Sequence, residues 1–362
     1  MTCLTTTRGL PWRLRAIAHT VIAIVLLAAC TGMRDDRPAD YRHYADRAAA
    51  ALQEWYDPAR GLWNTTGWWN SANAMEAMID YSARTGSRKY REDLATCFDK
   101  HQAGRFLNRY YDDEGWWALT WIKAYDLTRE TRYLSMAKAI FDDMKGGWDE
   151  TFGGGIWWSK DRKYKNAIAN ELFLTVAARL HQRTRDDRGE GSYQDWALRE
   201  WQWFEASGMI NSENLVNDGL NSAGKNNGGT TWTYNQGVVL GGLVALSDIT
   251  HDRSLIARAE AIADAAMRSL APGGVLQEPC EQKNGCGGDG PQFKGIFVRN
   301  LDILARTTPQ KQYRDFLRHN AASIWDNDQN DRYQFGLRWA GPFDRADACR
   351  QSAALDAFNA SL

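Results

Sequence analysis

The sequence predicts an all-α chain whose six helical hairpins close into an (α/α)6 barrel. Three observations carry that fold class. From about residue 41 onward, apolar residues recur at the spacing of one helix face, with very little period-two alternation. Short polar turns repeat along the chain, each joining one helix to its successor. The remaining connections are longer and rich in Gly, Asn and Trp.

In chain order, the helices are expected at about 41–56, 67–84, 88–107, 112–127, 131–145, 165–184, 192–207, 230–249, 253–270, 294–307, 310–326 and 345–358. The Ala-rich opening helix precedes the connection "GLWNTTGWWNSAN". The next four form two pairs, joined through "YSARTGSRKYREDLATCF" and "AYDLTRETRYLSMAKAIF". "RLHQRTRDDRGEGSYQDWALREWQWF" turns 165–184 into 192–207, and "ALSDITHDRSLIARAEAIADAAM" turns 230–249 into 253–270. "ILARTTPQKQYRDFLRHNAASIW" supplies the last such turn, ahead of the terminal helix. Antiparallel neighbours joined in this way place all turns of one kind on one face.

The even-numbered helices are apolar around much of their circumference ("ELFLTVAARL", "VVLGGLVAL", "GIFVRNLDIL") and belong inside, with the odd-numbered ones outside. An open superhelix of hairpins is the alternative, but it would leave those helices too exposed. Gly241 and Gly242 predict close contacts between helices. No linker or second domain interrupts 41–362, and a monomer is expected.

Residues 1–29 stand apart. Arg8, Arg13 and Arg15 precede a short apolar run from Ile17 to Ala29, too brief to span a bilayer, which is the pattern of an export signal. It ends in "LLAAC", similar to a bacterial lipobox, with Cys30 as the residue to be lipidated and 30–40 as a tether. A plain secretory signal with an incidental cysteine is the other reading. The expected location is the cell envelope, as a membrane-anchored lipoprotein. In an oxidising compartment, Cys280 and Cys286 flank a Gly-rich loop and are expected to bridge. A bridge between Cys97 and Cys349 would then tie an early element to the C-terminus. No CxxC pair or nearby His supports a zinc site.

The charge balance, 44 Lys plus Arg against 45 Asp plus Glu, gives no basic field for nucleic acid or an anionic membrane surface. The 17 Trp are the unusual feature, because many lie in the long connections and not in core positions. Each of the six connections leads into the N-terminus of an inner helix, so all six meet on one rim. Aromatic faces interleaved with amides and hydroxyls suit a sugar chain, whose CH-rich faces lie on rings while its hydroxyls hydrogen-bond. Some of these Trp residues are expected to plug the barrel top as packing instead. None of the six His lies on that rim, so neither histidine acid–base chemistry nor a His-ligated metal is expected.

Asp112 and Asp113 open one inner helix on this rim. Glycoside cleavage needs one carboxyl to give a proton and another to attack or stabilise the anomeric carbon. Two adjacent aspartates in a partly dry cleft raise each other's cost of ionisation, which separates their protonation. Their Cα atoms are about 3.8 Å apart, so the carboxyls fit the ~5–5.5 Å of a retaining enzyme better than an inverting separation. Acidic residues also suit any helix N-terminus. The other doublets, Asp35-Asp36, Asp142-Asp143 and Asp186-Asp187, fall in the tail, on an outer helix and in a polar turn.

"YDDEGWWALTWIKAYDLT", "GGWDETFGGGIWW", "KNAIANELFLTVAARL", "TTWTYNQGVVLGGL" and "FKGIFVRNLDIL", in that order, resemble glycoside hydrolase family 76, the α-1,6-mannanases. The resemblance covers about 40–350. It implies an (α/α)6 barrel and retaining endo-hydrolysis of α-1,6-mannan, with Asp112 as nucleophile, Asp113 as general acid/base and no metal or organic cofactor. By position on the rim, Asn70, Asn73, Trp117, Trp157, Trp232, Tyr234, Asn235 and Lys294 are expected to bind substrate. Lys294 is a candidate partner for the dyad, and Trp117 is expected to pack beside the aspartates and dry them rather than to stack on sugar. A transglycosylase on α-mannan and a non-catalytic glycan-binding lipoprotein are the alternatives.

Overall fold

In the computed structural model, residues 39–184, 187–281 and 285–362 are described; the leader, Cys30, the tether to residue 38 and Asp186 lie outside them. Within 41–362, a single contact unit, twelve α-helices are present among the described residues. They are α1 Tyr41–Leu52, α2 Trp68–Thr85, α3 Arg91–His101, α4 Tyr111–Thr128, α5 Thr131–Met144 and α6 Ala167–His181. The second half continues with α7 Tyr193–Ala206, α8 Thr233–Thr250, α9 Ser254–Leu270, α10 Phe293–Thr307, α11 Lys311–Asn327 and α12 Ala348–Ala360.

The even-numbered helices contact one another in sequence, α2 to α4, α4 to α6 and onward to α12, and α12 returns to α2. That last contact excludes the open superhelix. The odd-numbered helices lie outside: α5 packs on α4, α7 on α6, α9 on α8, α11 on α12 and α1 on α12. α3 joins through Phe98, whose ring meets Trp121 of α4 and Tyr133 of α5 edge-on at 5.1 and 5.0 Å. Every residue of α6 from Ala167 to Leu180 is buried, as is all of α12. A helix covered on all sides needs apolar or small residues all round. Glycine lets the inner helices close up: a Cβ on Gly237 of α8 would lie 2.6 Å from the Phe297 backbone of α10, and one on Gly242 would press on Leu174 of α6 at 3.0 Å.

Two expected helices are shorter than their spacing suggests. α1 stops at Leu52, passes through a 3-10 turn, and gives way to a two-stranded hairpin pairing Tyr56 with Trp63. Pro58 disfavours helix at the residue before it, and Asp57 Oδ1 caps the turn by accepting from the Ala59 N–H at 2.9 Å. α3 ends at His101, where a 3-10 turn through Gly104 leads into positive φ at Arg105 and Phe106.

A buried ionic cluster ties the inner ring together. Arg299 of α10 reaches Asp356 of α12 at 3.2 Å and Glu76 of α2 at 3.3 Å, and also donates to Asn73. Lys123 of α4 meets Glu76 at 2.7 Å and Asp80 at 2.6 Å. Burial works to raise Glu76, but Arg299, Lys123 and Arg179 outweigh it and hold the carboxyl near 2.

Cys280 and Cys286 form a disulfide. The Cys97–Cys349 bridge does not form, and both thiols are free and buried. Cys97 lies on outer α3 beneath Gly61. Cys349 opens inner α12, where its sulfur meets the Thr66 hydroxyl at 2.7 Å. Their helices occupy different layers of the barrel, and each thiol packs against its own neighbours.

Candidate active site

The site begins at the entry to α4. Tyr110 is extended (φ −114°, ψ 123°) and pairs antiparallel with Ser159, so the Tyr111 N–H donates to the Trp158 carbonyl at 2.9 Å. This short pairing fastens the connection 146–166 across the start of α4. It also brings Trp158 over the dyad, where its indole N–H donates to Asp112 Oδ2 at 3.0 Å.

The three acids that follow are divided by helical rotation. Asp112 and Asp113 line a cleft of about 540 Å³. Glu114 is fully buried, and its carboxylate accepts from Lys160 at 2.8 Å and from the Asn108 N–H at 3.3 Å. Asn108 also steadies the dyad: its amide donates to Asp113, while its own oxygen accepts from the Tyr110 N–H at 2.7 Å.

Burial, followed by the charge of Asp113, pushes Asp112 up to about 8 against the Trp158 hydrogen bond. Asp112 Oδ1 is buried and has no hydrogen-bond partner among the described residues. Burial raises Asp113 to about 6, with the Asn108 bond opposing and the Asp289 charge adding to the rise. The two titrate as a pair, so near neutrality they hold one proton between them. That arrangement can protonate a leaving oxygen and keep a carboxylate for attack on carbon.

The walls come from five of the six inner helices or the connections leading into them. Tyr234 stacks on Phe293 at 3.9 Å and 13°. Trp69 stacks over Trp116 at 5.7 Å, and its N–H donates to Asp289 Oδ1 at 3.1 Å. Tyr164 donates its hydroxyl to Asp218 and accepts from Asn227 at 2.9 Å. Asn166, the N-cap of α6, lies between these walls.

Of the residues expected to bind substrate, Asn70 and Tyr234 line the cleft with the dyad. Asn70 is already engaged, accepting from the Gly67 N–H and donating to Gln292 at 3.0 Å. The other six stand outside the lining. Trp117 is fully buried between Trp68, Phe106 and Trp121. Trp157 donates to Asp149 at 2.7 Å and lies over Lys165. Trp232 meets Phe293 edge-on at 5.6 Å, and Asn73 is turned toward Arg299. Asn235 is buried with neither amide atom hydrogen-bonded among the described residues. Lys294 pairs with Glu281 and the Leu337 carbonyl beneath Trp339, not with the dyad.

The residues that sequence reasoning missed include Trp69, Trp116, Trp158, Tyr164, Asn166, Asp218, Asp289 and Phe293. One signal was available for Trp116, which stands four residues after Asp112 and three after Asp113 and so shares their helix face. No grouping of His, Cys, Asp and Glu among the described residues has a metal-site arrangement.

A family model described as "Glycosyl hydrolase family 76" matches residues 40–362. The mannan endo-1,6-alpha-mannosidase DCW1 of Eremothecium gossypii is 26% identical over 335 residues, covering 82% of this chain and 73% of that protein. The chain spans from 59% to 73% of the length of the curated relatives it matches. Among solved structures, the GH76A alpha-1,6-mannanase of Salegentibacter sp. HEL1_6 superimposes with a TM-score of 0.79 at 25% identity, covering 89% of this chain and 99% of that one. The same protein is also solved as an inactive variant, with two consecutive aspartates replaced by alanine, in complex with alpha-1,6-mannotetrose (TM-score 0.79, 23% identity, 89% and 99% coverage).

Proposed function

Since this chain belongs to glycosyl hydrolase family 76, we propose that it hydrolyses α-1,6-mannosidic bonds within mannan by a retaining, endo-acting double displacement. The observation that carries this reading is the pair of neighbouring carboxyls lining one aromatic cleft, both raised by burial.

In the first step, Asp112 attacks the anomeric carbon and forms a glycosyl ester as the C–O bond breaks. Asp113 gives its proton to the departing oxygen. In the second, Asp113 takes a proton from water, whose oxygen displaces Asp112 and restores the original configuration. Trp158 and the helix N-terminus hold Asp112 in line. In the unliganded protein burial and the neighbouring Asp113 charge raise Asp112, and the pair shares its proton. A pyranose ring covering half-buried Asp113 removes its remaining water, and together with the Asp289 charge this raises its affinity for that proton.

Export fits a mannan substrate, which is too large to enter a cell. The leader ending in "LLAAC" supports secretion, with Cys30 as the point of lipid attachment.

The test is product analysis on debranched yeast mannan and linear α-1,6-mannooligosaccharides, with Asp112→Asn and Asp113→Asn alongside. Each variant should lose about 10²–10⁴-fold in kcat. Undiminished activity in both would end the mechanism, and inactivity of the unaltered protein on every α-mannan would end the substrate. Transfer to added sugar in preference to water would favour a transglycosylase.

A further inference from the structure

Neighbouring outer helices are fastened to one another at five of the six seams around the barrel. Gln53, just past α1, donates to Asp93 of α3 at 2.6 Å, and the Phe98 ring of α3 meets Tyr133 of α5 at 5.0 Å. Phe141 of α5 meets Tyr193 of α7 edge-on at 5.4 Å. Tyr313 of α11 donates to Asp264 of α9 at 3.0 Å, and Trp325 of α11 stacks on Tyr44 of α1 at 3.9 Å. The seam between α7 and α9 differs. Neither a ring pair nor a hydrogen bond crosses it among the described residues, only the ion pair of Arg258 with Glu205 at 3.5 Å. A pocket of about 580 Å³ opens there, no smaller than the catalytic cleft.

The lining suits a neutral ligand that carries both CH and OH groups. Its floor is apolar, with Trp201, Leu246 and Leu255 buried. Its mouth is polar. Gln202, Glu205 and Asp252 are exposed there, and Arg258 Nε is buried without a hydrogen bond among the described residues. One cation against two anions gives no attraction for phosphate or carboxylate groups. A lipid chain or an apolar peptide would strand the polar groups. A pyranose meets both halves, its CH face on the floor and its hydroxyls toward amide, carboxylate and guanidinium.

We propose that this pocket is a second carbohydrate-binding site, which holds a stretch of mannan remote from the bond being cut. This rests on the mannan reading given above. Thr250, Asp252 and Ser254 border the pocket, so it lies toward the short-turn end of the barrel. Along α8, Leu246 and Thr250 stand about 18 and 24 Å from Tyr234 at the cleft. A short oligosaccharide therefore occupies one site or the other, and only a polymer engages both. Capture at the pocket then raises the effective concentration of the same chain at the cleft.

The experiment compares linear α-1,6-mannan with α-1,6-mannotetraose. Ala257→Trp fills the pocket from its exposed edge, and Gln202→Ala combined with Glu205→Gln strips the mouth while leaving the floor intact. None of these positions lines the cleft. Either change should raise KM on the polymer roughly 5–20-fold and leave kcat/KM on the tetrasaccharide within about twofold. An unchanged KM on mannan in both variants, or an equal loss on the tetrasaccharide, overturns the proposal. So does an unaltered protein that is dimeric in solution and becomes monomeric with Ala257→Trp, which would assign the seam to a second copy.

Native gels cast with the linear mannan separate this failure from failure of the mannanase reading, because retardation needs no hydrolysis. Both variants should migrate faster than the unaltered protein. That result with a protein inactive on every α-mannan would keep the pocket and remove the enzyme reading. Equal migration of all three with hydrolysis intact would remove the pocket alone.

Discussion

Asp112 and Asp113 illustrate how far a residue's neighbours decide its chemistry. An aspartate in water titrates near 3.8, whereas these two stand near 8 and 6, with burial the largest cause for both. Below the lower value both are protonated and no carboxylate remains to attack. Above the higher one both are ionised and no proton is left to give. The pH profile of kcat/KM on mannooligosaccharides should therefore be a bell with limbs near 6 and 8. A profile flat from pH 4 to 7 would contradict it. The pair's place on the cleft was legible because Asp112 and Asp113 open an inner helix on a Trp-rich rim. Its aromatic partners were less so. The doublets Trp68-Trp69, Trp116-Trp117 and Trp157-Trp158 each send one ring to the cleft and the other elsewhere. Composition cannot choose within such a pair; local helix or strand rotation can.

At the scale of elements, the connection 146–166 depends on one residue that its sequence did not advertise. Lys165 is fully buried, and its ammonium donates to Asp149 Oδ1 at 2.9 Å and to the carbonyls of Asp149, Thr151, Gly154 and Gly155 at 2.7–3.1 Å. The segment it gathers leads directly to Trp157 and Trp158. Lys165→Met keeps an unbranched apolar stem but leaves these acceptors without their donor. Stability should fall by roughly 2–4 kcal/mol. Displacement of Trp158 should lower kcat/KM by roughly 10–100-fold. Thermal unfolding and mannooligosaccharide kinetics check the two effects separately. A variant with unchanged Tm would show that the loop holds its course without the lysine. The helices themselves were readable to within a few residues because their apolar period is strong, whereas the α1 and α3 ends yielded to Pro58 and to the positive-φ turn after Gly104.

For the whole molecule, closure was inferred from inner helices too apolar to leave uncovered, and the α12 contact with α2 completes the ring. What sequence patterning did not reveal is that this ring also encloses charges. Arg299 on α10 joins α2 to α12 through Glu76 and Asp356, on either side of the closing contact. Removing one partner of a buried pair costs more than the pair contributes. Arg299→Met should therefore destabilise the barrel by about 3–5 kcal/mol, measured by urea denaturation at pH 7. Acid should narrow the gap. Glu76 falls from 4.5 in the free residue to about 2 in the fold, so its contribution is complete above the first value and disappears as pH drops through the second. A difference that widened in acid would place the cost elsewhere.

The cysteines carry a consequence for how such a chain matures. Cys280 and Cys286 are six positions apart, so a disordered chain brings them together far more readily than it would bring either to Cys97 or Cys349. The latter two become inaccessible as α3 and α12 pack, and burial pushes the Cys349 thiol up to about 12, far from its reactive thiolate form. An oxidant would thus find the correct partners by nearness alone. The long-range architecture needs no disulfide of its own, so the redox conditions around the folded protein leave it undisturbed.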